Sequence, residues 1–265
     1  MWARGDAYEQ YVGRWSRLVA REFLTWLNVP LDSRWLDIGC GTGALSASIL
    51  ELAQPSKVIG IDASESYVGN TRERIRDSRA EFRHAVAQAL PFAGGEFDAA
   101  VSGLVLSFLP DPGRGLAEMV RVTRPGSVVA VYVWDYAGEM QLMRSFWDAA
   151  AELNPAAAEL DEGRLFPICQ PDALRRMFDA AGLSEIEVRA IDIPTVFADF
   201  DDYWTPFLGG QGPAPAYAAS LSDTRRIELR KRIRASLPTQ PDGSISLIAR
   251  AWAARGRRSS TSLDA

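Results

Sequence analysis

Apolar positions along the chain fall first into a helical rhythm and then into an alternation of strand-like and helix-like segments. Within 8–27, Tyr8, Tyr11, Val12, Trp15, Val19, Phe23, Trp26 and Leu27 recur at spacings that line one helical face. Pro30 and Asp32-Ser33 break that pattern. Residues 34–38 form a short apolar run ending at glycines, and Leu45, Ile49 and Leu52 follow at helical spacing. A second strand is predicted over 57–63. Ser64 is placed to cap a helix through about Ile75. Strands follow at 81–86 and 97–103. A helix around Leu116, Met119 and Val120 is predicted to end at Arg124-Pro125-Gly126. Residues 127–134 are apolar throughout, as in a strand buried on both faces. This βαβ alternation implies a doubly wound parallel α/β sheet.

Beyond Asp135 the rhythm loosens. Leu142, Met143, Phe146, Trp147 and Ala150 predict a helix. Another runs over 171–181, with Pro171 at its start and Gly182 just past its end. Strands are expected at 185–193 and 244–253. Between them, 194–243 reads as an irregular insertion rich in Pro, Gly and aromatic residues, with one helix near 223–236.

The chemistry concentrates where the first strand ends. In Trp35-Leu36-Asp37-Ile38-Gly39-Cys40-Gly41-Thr42-Gly43, an acid precedes three glycines at alternate positions that open a helix. Glycine permits a tight turn and lets a ligand approach without a Cβ in the way. Ligands of open α/β sheets bind at the carboxyl ends of the strands, beside such a loop. Gly39, Gly41 and Ala44 also satisfy a dinucleotide spacing. Asp37 argues against that ligand, because its carboxylate would face a pyrophosphate. S-adenosylmethionine carries an ammonium and a sulfonium instead. An opposite charge ~4 Å away contributes about 4 kcal/mol at an effective dielectric of about 20, before desolvation. Asp62 lies where an acid can accept hydrogen bonds from ribose hydroxyls, which suits either adenosine ligand.

Here the chain resembles the class I S-adenosylmethionine-dependent methyltransferases, near the small-molecule subgroup that includes ubiquinone and menaquinone C-methyltransferases. The matching segments are LDIGCGTG (36–43), GIDAS (60–64), ALPFAGGEFDAAVS (89–102), LPDP (109–112) and RVTRPGSVV (121–129), in the family's order. The resemblance implies a Rossmann-like seven-stranded sheet whose last strand is antiparallel, with lid insertions. It implies that Asp37, Gly39, Gly41 and Gly43 hold the methionine part and Asp62 the ribose. Ala63 and Tyr67 would flank the adenine, with Ala87 and Gln88 on its other side. Ser102 and Gly103 would lie near the sulfonium. Two positions depart from the family pattern. Val86 stands where an acid often meets the adenine amino group, and Ser107-Phe108 stand where a histidine pair is often found.

Other residues carry competing readings. Tyr11 and Arg14, with Trp15, sit on the N-terminal helix. Arg14 either pairs with the cofactor carboxylate or is a surface arginine. Asp135, after the fifth strand, is either a substrate contact or a turn residue. Tyr203 and Trp204, in the aromatic stretch 199–207, are either lid residues over an apolar substrate or ordinary packing. These three are the candidate catalytic residues. His84, the single histidine, is expected to be structural or on the surface, against a catalytic alternative. The basic run Arg225, Arg226, Arg230, Lys231, Arg232 and Arg234 reads either as a solvated amphipathic helix or as a contact for an anionic substrate or nucleic acid.

The resulting division is 1–33 as a helical segment over the cofactor, 34–135 as the cofactor-binding core, 136–254 as lid helices and final strands, and 255–265 as a disordered tail. Of the 265 residues, 47% are hydrophobic and 24% charged, as in a globular protein. The formal net charge of -5 disfavours nucleic acid as partner. Two cysteines, Cys40 and Cys169, are too few for a disulfide framework, and no segment is apolar enough for a signal peptide or membrane span. No metal cluster is apparent. The expectation is a cytoplasmic monomer or homodimer that transfers a methyl group from S-adenosylmethionine to O, N or C of a small molecule. The competing functions are a non-catalytic S-adenosylmethionine-binding protein, an NAD-linked oxidoreductase and an RNA methyltransferase.

Overall fold

The structure, a computed structural model, describes residues 13–209 and 212–260. Tyr11, one of the expected cofactor contacts, lies outside the described residues. In chain order the elements are α1 (Arg14–Leu27), β1 (Arg34–Ile38), α2 (Ala44–Leu52), β2 (Lys57–Asp62), α3 (Glu65–Arg74), β3 (Ala80–His84), β4 (Phe97–Gly103), α4 (Pro112–Val122) and β5 (Thr123–Trp134). There follow α5 (Gln141–Leu153), α6 (Glu162–Leu165), α7 (Pro171–Ala180), β6 (Leu183–Phe197), α8 (Phe200–Trp204), α9 (Pro213–Ser220), α10 (Asp223–Ser236) and β7 (Ile245–Arg258). The chain forms two compact units. The larger comprises Ser16–Val133, Gln170–Ile191 and the residues from Trp252; the smaller comprises 13–15, Trp134–Cys169 and Asp192–Ala251.

The strands form a seven-stranded sheet in the order β3-β2-β1-β4-β5-β7-β6. The strands from β1 to β5 pair in parallel, and the last strand is antiparallel, as the family resemblance implied. β1 is flanked by β2 on one side and β4 on the other, with Asp37 paired to Gly60 and Val101. The chain therefore leaves β1 in one direction and later returns on the other side. That reversal opens a crevice at the carboxyl ends of these strands. The central strands are buried on both faces: Leu36, Val58, Ile59, Ala99, Ala100, Val101 and Val129 are fully covered. This explains their continuous apolar runs.

Three expectations are corrected. The helix before β5 ends at Val122, so Arg124-Pro125-Gly126 lies inside the strand. The β4–β5 register slips there, with Phe97 opposite Thr123 but Ala99 opposite Val128. Pro and Gly sit in a strand where the ladder is interrupted, and Gly126 takes φ 77°. The tail expected from Arg255 is strand as far as Arg258. Arg255 pairs with Glu187 at 2.7 Å, Arg257 with Glu185 at 2.9 Å, and Arg258 donates to the carbonyls of Arg121 and Thr123. Arginine-rich sequence becomes strand here because partners on other elements fix its side chains. Among its described residues the insertion 194–243 holds three α-helices, not one helix. Asp199 caps α8 by accepting from the Asp202 N–H at 2.9 Å, and Pro213 starts α9. Both helices are too short to show a periodicity.

The smaller unit packs α5, α6, α8, α9 and α10 around aromatic rings. Phe146 stacks on Phe207 at 4.6 Å, Tyr203 meets Phe197 at 5.3 Å, and Trp147 meets Tyr217 at 5.6 Å. Such pairs contribute about 0.5–1.5 kcal/mol each beyond their buried area.

Candidate cofactor site

The loop after β1 is held by its own backbone and by its neighbours. The N–H groups of Gly39 and Cys40 both donate to the Ile61 carbonyl, at 2.8 and 2.9 Å, and Gly43 N–H donates to Cys40 O at 2.8 Å. Gly39 and Gly43 adopt φ of 73° and 88°, a region that side chains disfavour. A Cβ on Gly39 would lie 2.5 Å from Val105 Cγ2, and one on Gly43 would lie 2.7 Å from Ile75 Cδ1. The Thr71 hydroxyl, from α3, donates to Gly41 O at 2.6 Å.

Two carboxylates converge on this loop. Asp62 accepts from Gly41 N–H at 3.0 Å and from Ser64 N–H at 2.8 Å. Asp37 is buried and accepts from the Ser46 hydroxyl at 2.6 Å. Burial, opposed by bonds from the Ser46 hydroxyl and N–H and reinforced by the charge of Asp62, pushes the Asp37 carboxyl up to about 7. Burial also raises Asp62, against the two N–H donors and His84. Burial first, then both acids, raises the Cys40 thiol, which packs with Val68 and Phe82. Two neighbouring carboxylates favour a cation and repel a phosphate.

The other expected contacts of the larger unit surround the same strand ends. Ala63 is exposed, and its carbonyl lies 3.0 Å from His84 Nε2, so the single histidine ties β3 to the end of β2. Tyr67 is half-buried in the first turn of α3. Ala87 is buried, and the Gln88 carbonyl accepts from Arg114 Nε at 2.9 Å. Ser102 is buried with its hydroxyl donating to Ile38 O at 2.8 Å, which occupies it within the sheet. Gly103 lies opposite Tyr132 in the β4–β5 register.

The candidates in the smaller unit fare differently. Arg14 Nη1 binds Asp202 at 2.8 Å, and its guanidinium lies 4.5 Å from the Trp15 ring and 4.7 Å from that of Phe197. Its Nε and Nη2 are buried without an acceptor among the described residues. Asp135 sits in a turn. Its carboxylate accepts from the N–H groups of Gly138 and Glu139, at 3.1 and 2.9 Å. Tyr203 is corrected to core: it is fully buried and its hydroxyl donates to Leu142 O at 2.8 Å. Trp204, also buried, stacks parallel to Phe200. The aromatic stretch 199–207 is therefore interior packing, which explains a composition unusual for a loop. Three arginines of the basic run are engaged: Arg226 with the Ala218 and Leu221 carbonyls, Arg230 with Asp201 and Arg232 with Glu152.

One buried acid gave no sequence signal. Glu162 accepts from the Trp147 indole, from Ala214 N–H at the start of α9 and from its own N–H. Burial, with the nearby charge of Asp161, still pushes it up to about 7. Asp161 itself is paired with Arg144 at 2.6 Å.

Residues 36–131 match the methyltransferase domain family. An uncharacterized protein of Mycobacterium tuberculosis is 33% identical over 238 residues, spanning 84% of this chain and 80% of its own. The chain belongs to the S-adenosylmethionine-dependent methyltransferases. The family and cofactor expected from the sequence stand. The 2-methyl-6-phytyl-1,4-hydroquinone methyltransferase of Synechocystis is 29% identical over 69% of this chain, which spans 57% of that methyltransferase's length. The fold is shared with Haemonchus contortus phosphoethanolamine N-methyltransferase 2, solved in complex with S-adenosyl-L-methionine. Its TM-score is 0.57 at 16% identity, covering 90% of this chain and 52% of that one. Among the described residues, no helix of this methyltransferase is long and apolar enough to cross a membrane.

Proposed function

We propose that this methyltransferase transfers a methyl group from S-adenosylmethionine to O, N or C of a small molecule, in the cytoplasm, as a monomer or homodimer. The acid pair Asp37–Asp62 on a glycine loop carries the reading, because it suits a cationic adenosine ligand and repels a dinucleotide. When bound, the cofactor supplies a methyl group on a sulfonium already activated for in-line displacement. Asp37 would neutralise the ammonium, with Gly39, Gly41 and Gly43 letting the backbone close on the methionine part. Asp62, with lone pairs left beyond its two N–H donors, would accept from the ribose. Ala63, Tyr67, Ala87 and Gln88 would border the adenine, and Ser102 and Gly103 the methyl-bearing end.

Arg14 would pair with the cofactor carboxylate. Its Nε and Nη2 form the edge that grips a carboxylate with two parallel bonds, and no described residue uses it. Holding donor and acceptor in line supplies roughly 7–11 kcal/mol of the barrier, so a dedicated general base is optional. The hydroquinone-methylating relative makes hydroquinones the first acceptors to assay. The segments 1–33 and 136–254 would shield the reaction from water. Calorimetric titration with S-adenosylmethionine, with NADH as control, tests the proposal. Micromolar binding of the first alone is expected; binding of NADH alone overturns it.

A further inference from the structure

The backbone from Asp62 to Ser64 leads out of β2 into α3, past the acid assigned above to the ribose. One peptide group of this turn is held at both ends. Its carbonyl, on Ala63, lies 3.0 Å from His84 Nε2, and its N–H, on Ser64, donates to Asp62 Oδ1 at 2.8 Å. A carbonyl can only accept, so in this bond Nε2 is the donor. The second oxygen of the same carboxylate, Oδ2, accepts from Gly41 N–H at 3.0 Å. A chain of hydrogen bonds therefore runs from His84 through the 63–64 peptide and the Asp62 carboxylate to the glycine loop.

The pairing of β2 with β3 does not need the histidine. Five residue pairs, from Val58–Ala80 to Asp62–His84, hold the strands in register, and Ala85 N–H extends the ladder to Asp62 O at 3.0 Å. His84 is exposed at the end of β3, where water can replace a hydrogen-bond partner at little cost. Its side chain instead reaches past the ladder to the turn. Hydrogen bonds in series polarise one another, so a donor on Ala63 O strengthens Ser64 N–H as a donor to Asp62. The charge balance agrees: burial raises the Asp62 carboxyl, and Ser64, Gly41 and His84 lower it.

We propose that His84 is a positioning residue for the cofactor, acting through the 63–64 peptide on Asp62. This rests on the cofactor reading above, in which Asp62 accepts from the ribose. The two backbone donors take one lone pair on each carboxylate oxygen and leave both oxygens able to accept from hydroxyls. Without the His84 bond, the turn peptide is held at one end only, and the orientation of the carboxylate is less fixed.

The test is calorimetric titration of the full chain with S-adenosylmethionine, arranged as a double-mutant cycle. His84→Leu is expected to weaken binding about three- to tenfold, the range for one lost hydrogen bond. His84→Gln, whose side-chain amide keeps an N–H for the same carbonyl, is expected to stay within about twofold of the parent. In an Asp62→Ala background no carboxylate is left to orient, and His84→Leu is expected to change affinity by less than about twofold. A loss of the same size with and without Asp62, equal weakening by the leucine and glutamine variants, or no change in either overturns the assignment. If the parent protein does not bind S-adenosylmethionine, or Asp62→Ala leaves its affinity intact, the ribose reading itself falls, and this proposal with it.

Discussion

Asp37 and Glu162 are both buried carboxylates, and burial raises both to about 7, yet their surroundings differ in kind. Glu162, in the smaller unit, is met by an indole N–H and two backbone N–H groups, one at the start of α9, where a helix end favours negative charge. Asp37, in the larger unit, accepts from the Ser46 hydroxyl and the Ser46 N–H. The acid beside it, Asp62, is met by backbone N–H groups, whereas Asp161, the acid beside Glu162, is paired with Arg144 at 2.6 Å. The donors around Glu162 tie it to Trp147 and to the start of α9, so it acts as an internal strut. Two neighbouring acids, neither paired with an arginine among the described residues, suit the cation-binding role proposed for Asp37. A raised pKa alone therefore does not separate structure from function; what meets the neighbouring acid does.

Removing the strut should produce the largest effect. Glu162→Ala leaves the Trp147 indole and the Ala214 N–H buried without an acceptor, and a loss of about 3–5 kcal/mol in denaturant unfolding is expected. Glu162→Gln tests the charge. Below the ordinary glutamate value of 4.5, Glu162 is protonated in both folded and unfolded chains. As pH rises from 4.5 to about 7, only the unfolded chain releases the proton freely, so the parent loses stability across that window. The gain in Tm of Glu162→Gln over the parent should grow there and level off above it. A difference independent of pH would show that the donors already hold Glu162 ionised.

On the cofactor side, Asp62→Ala should weaken S-adenosylmethionine binding about 10- to 100-fold, since a charged acceptor is worth about 1.5–3 kcal/mol per hydrogen bond. Unchanged affinity in a folded variant would remove the ribose assignment and make Asp62 a second strut. The proton on Asp37 gives a smaller effect. Binding a cation requires its ionised form, so affinity should drop about tenfold from pH 7 to pH 5.5, where the cofactor's own ammonium keeps its charge. Calorimetry of Asp37→Asn should give a weaker affinity that is flat over the same range. A parent affinity just as flat would sink the contrast between the two acids.

The smallest effect is expected at Tyr203→Phe. It removes one hydrogen bond to Leu142 O and should cost about 1 kcal/mol of stability without altering cofactor affinity. A loss of binding at unchanged stability would restore Tyr203 as a substrate contact.

Sequence pattern alone determined the alternation of strands and helices from Arg34 to Trp134, the glycine loop and the two acids at its edge. These are local: a strand buried on both faces must be apolar throughout, and the loop glycines follow one another in sequence. Only the tertiary structure decided the rest. Tyr203 and Trp204 looked like lid residues because their burial depends on Phe197, Phe200 and Phe207, whose convergence no spacing announces. The arginines from Arg255 looked like a solvated tail because the acids that fix them, Glu185 and Glu187, lie about seventy positions earlier. Glu162 was silent for the same reason, and no spacing joins His84 to Ala63, 21 positions earlier. A carboxylate becomes a strut, and a histidine comes to hold a turn peptide, only when folding brings distant donors or a neighbouring strand into contact.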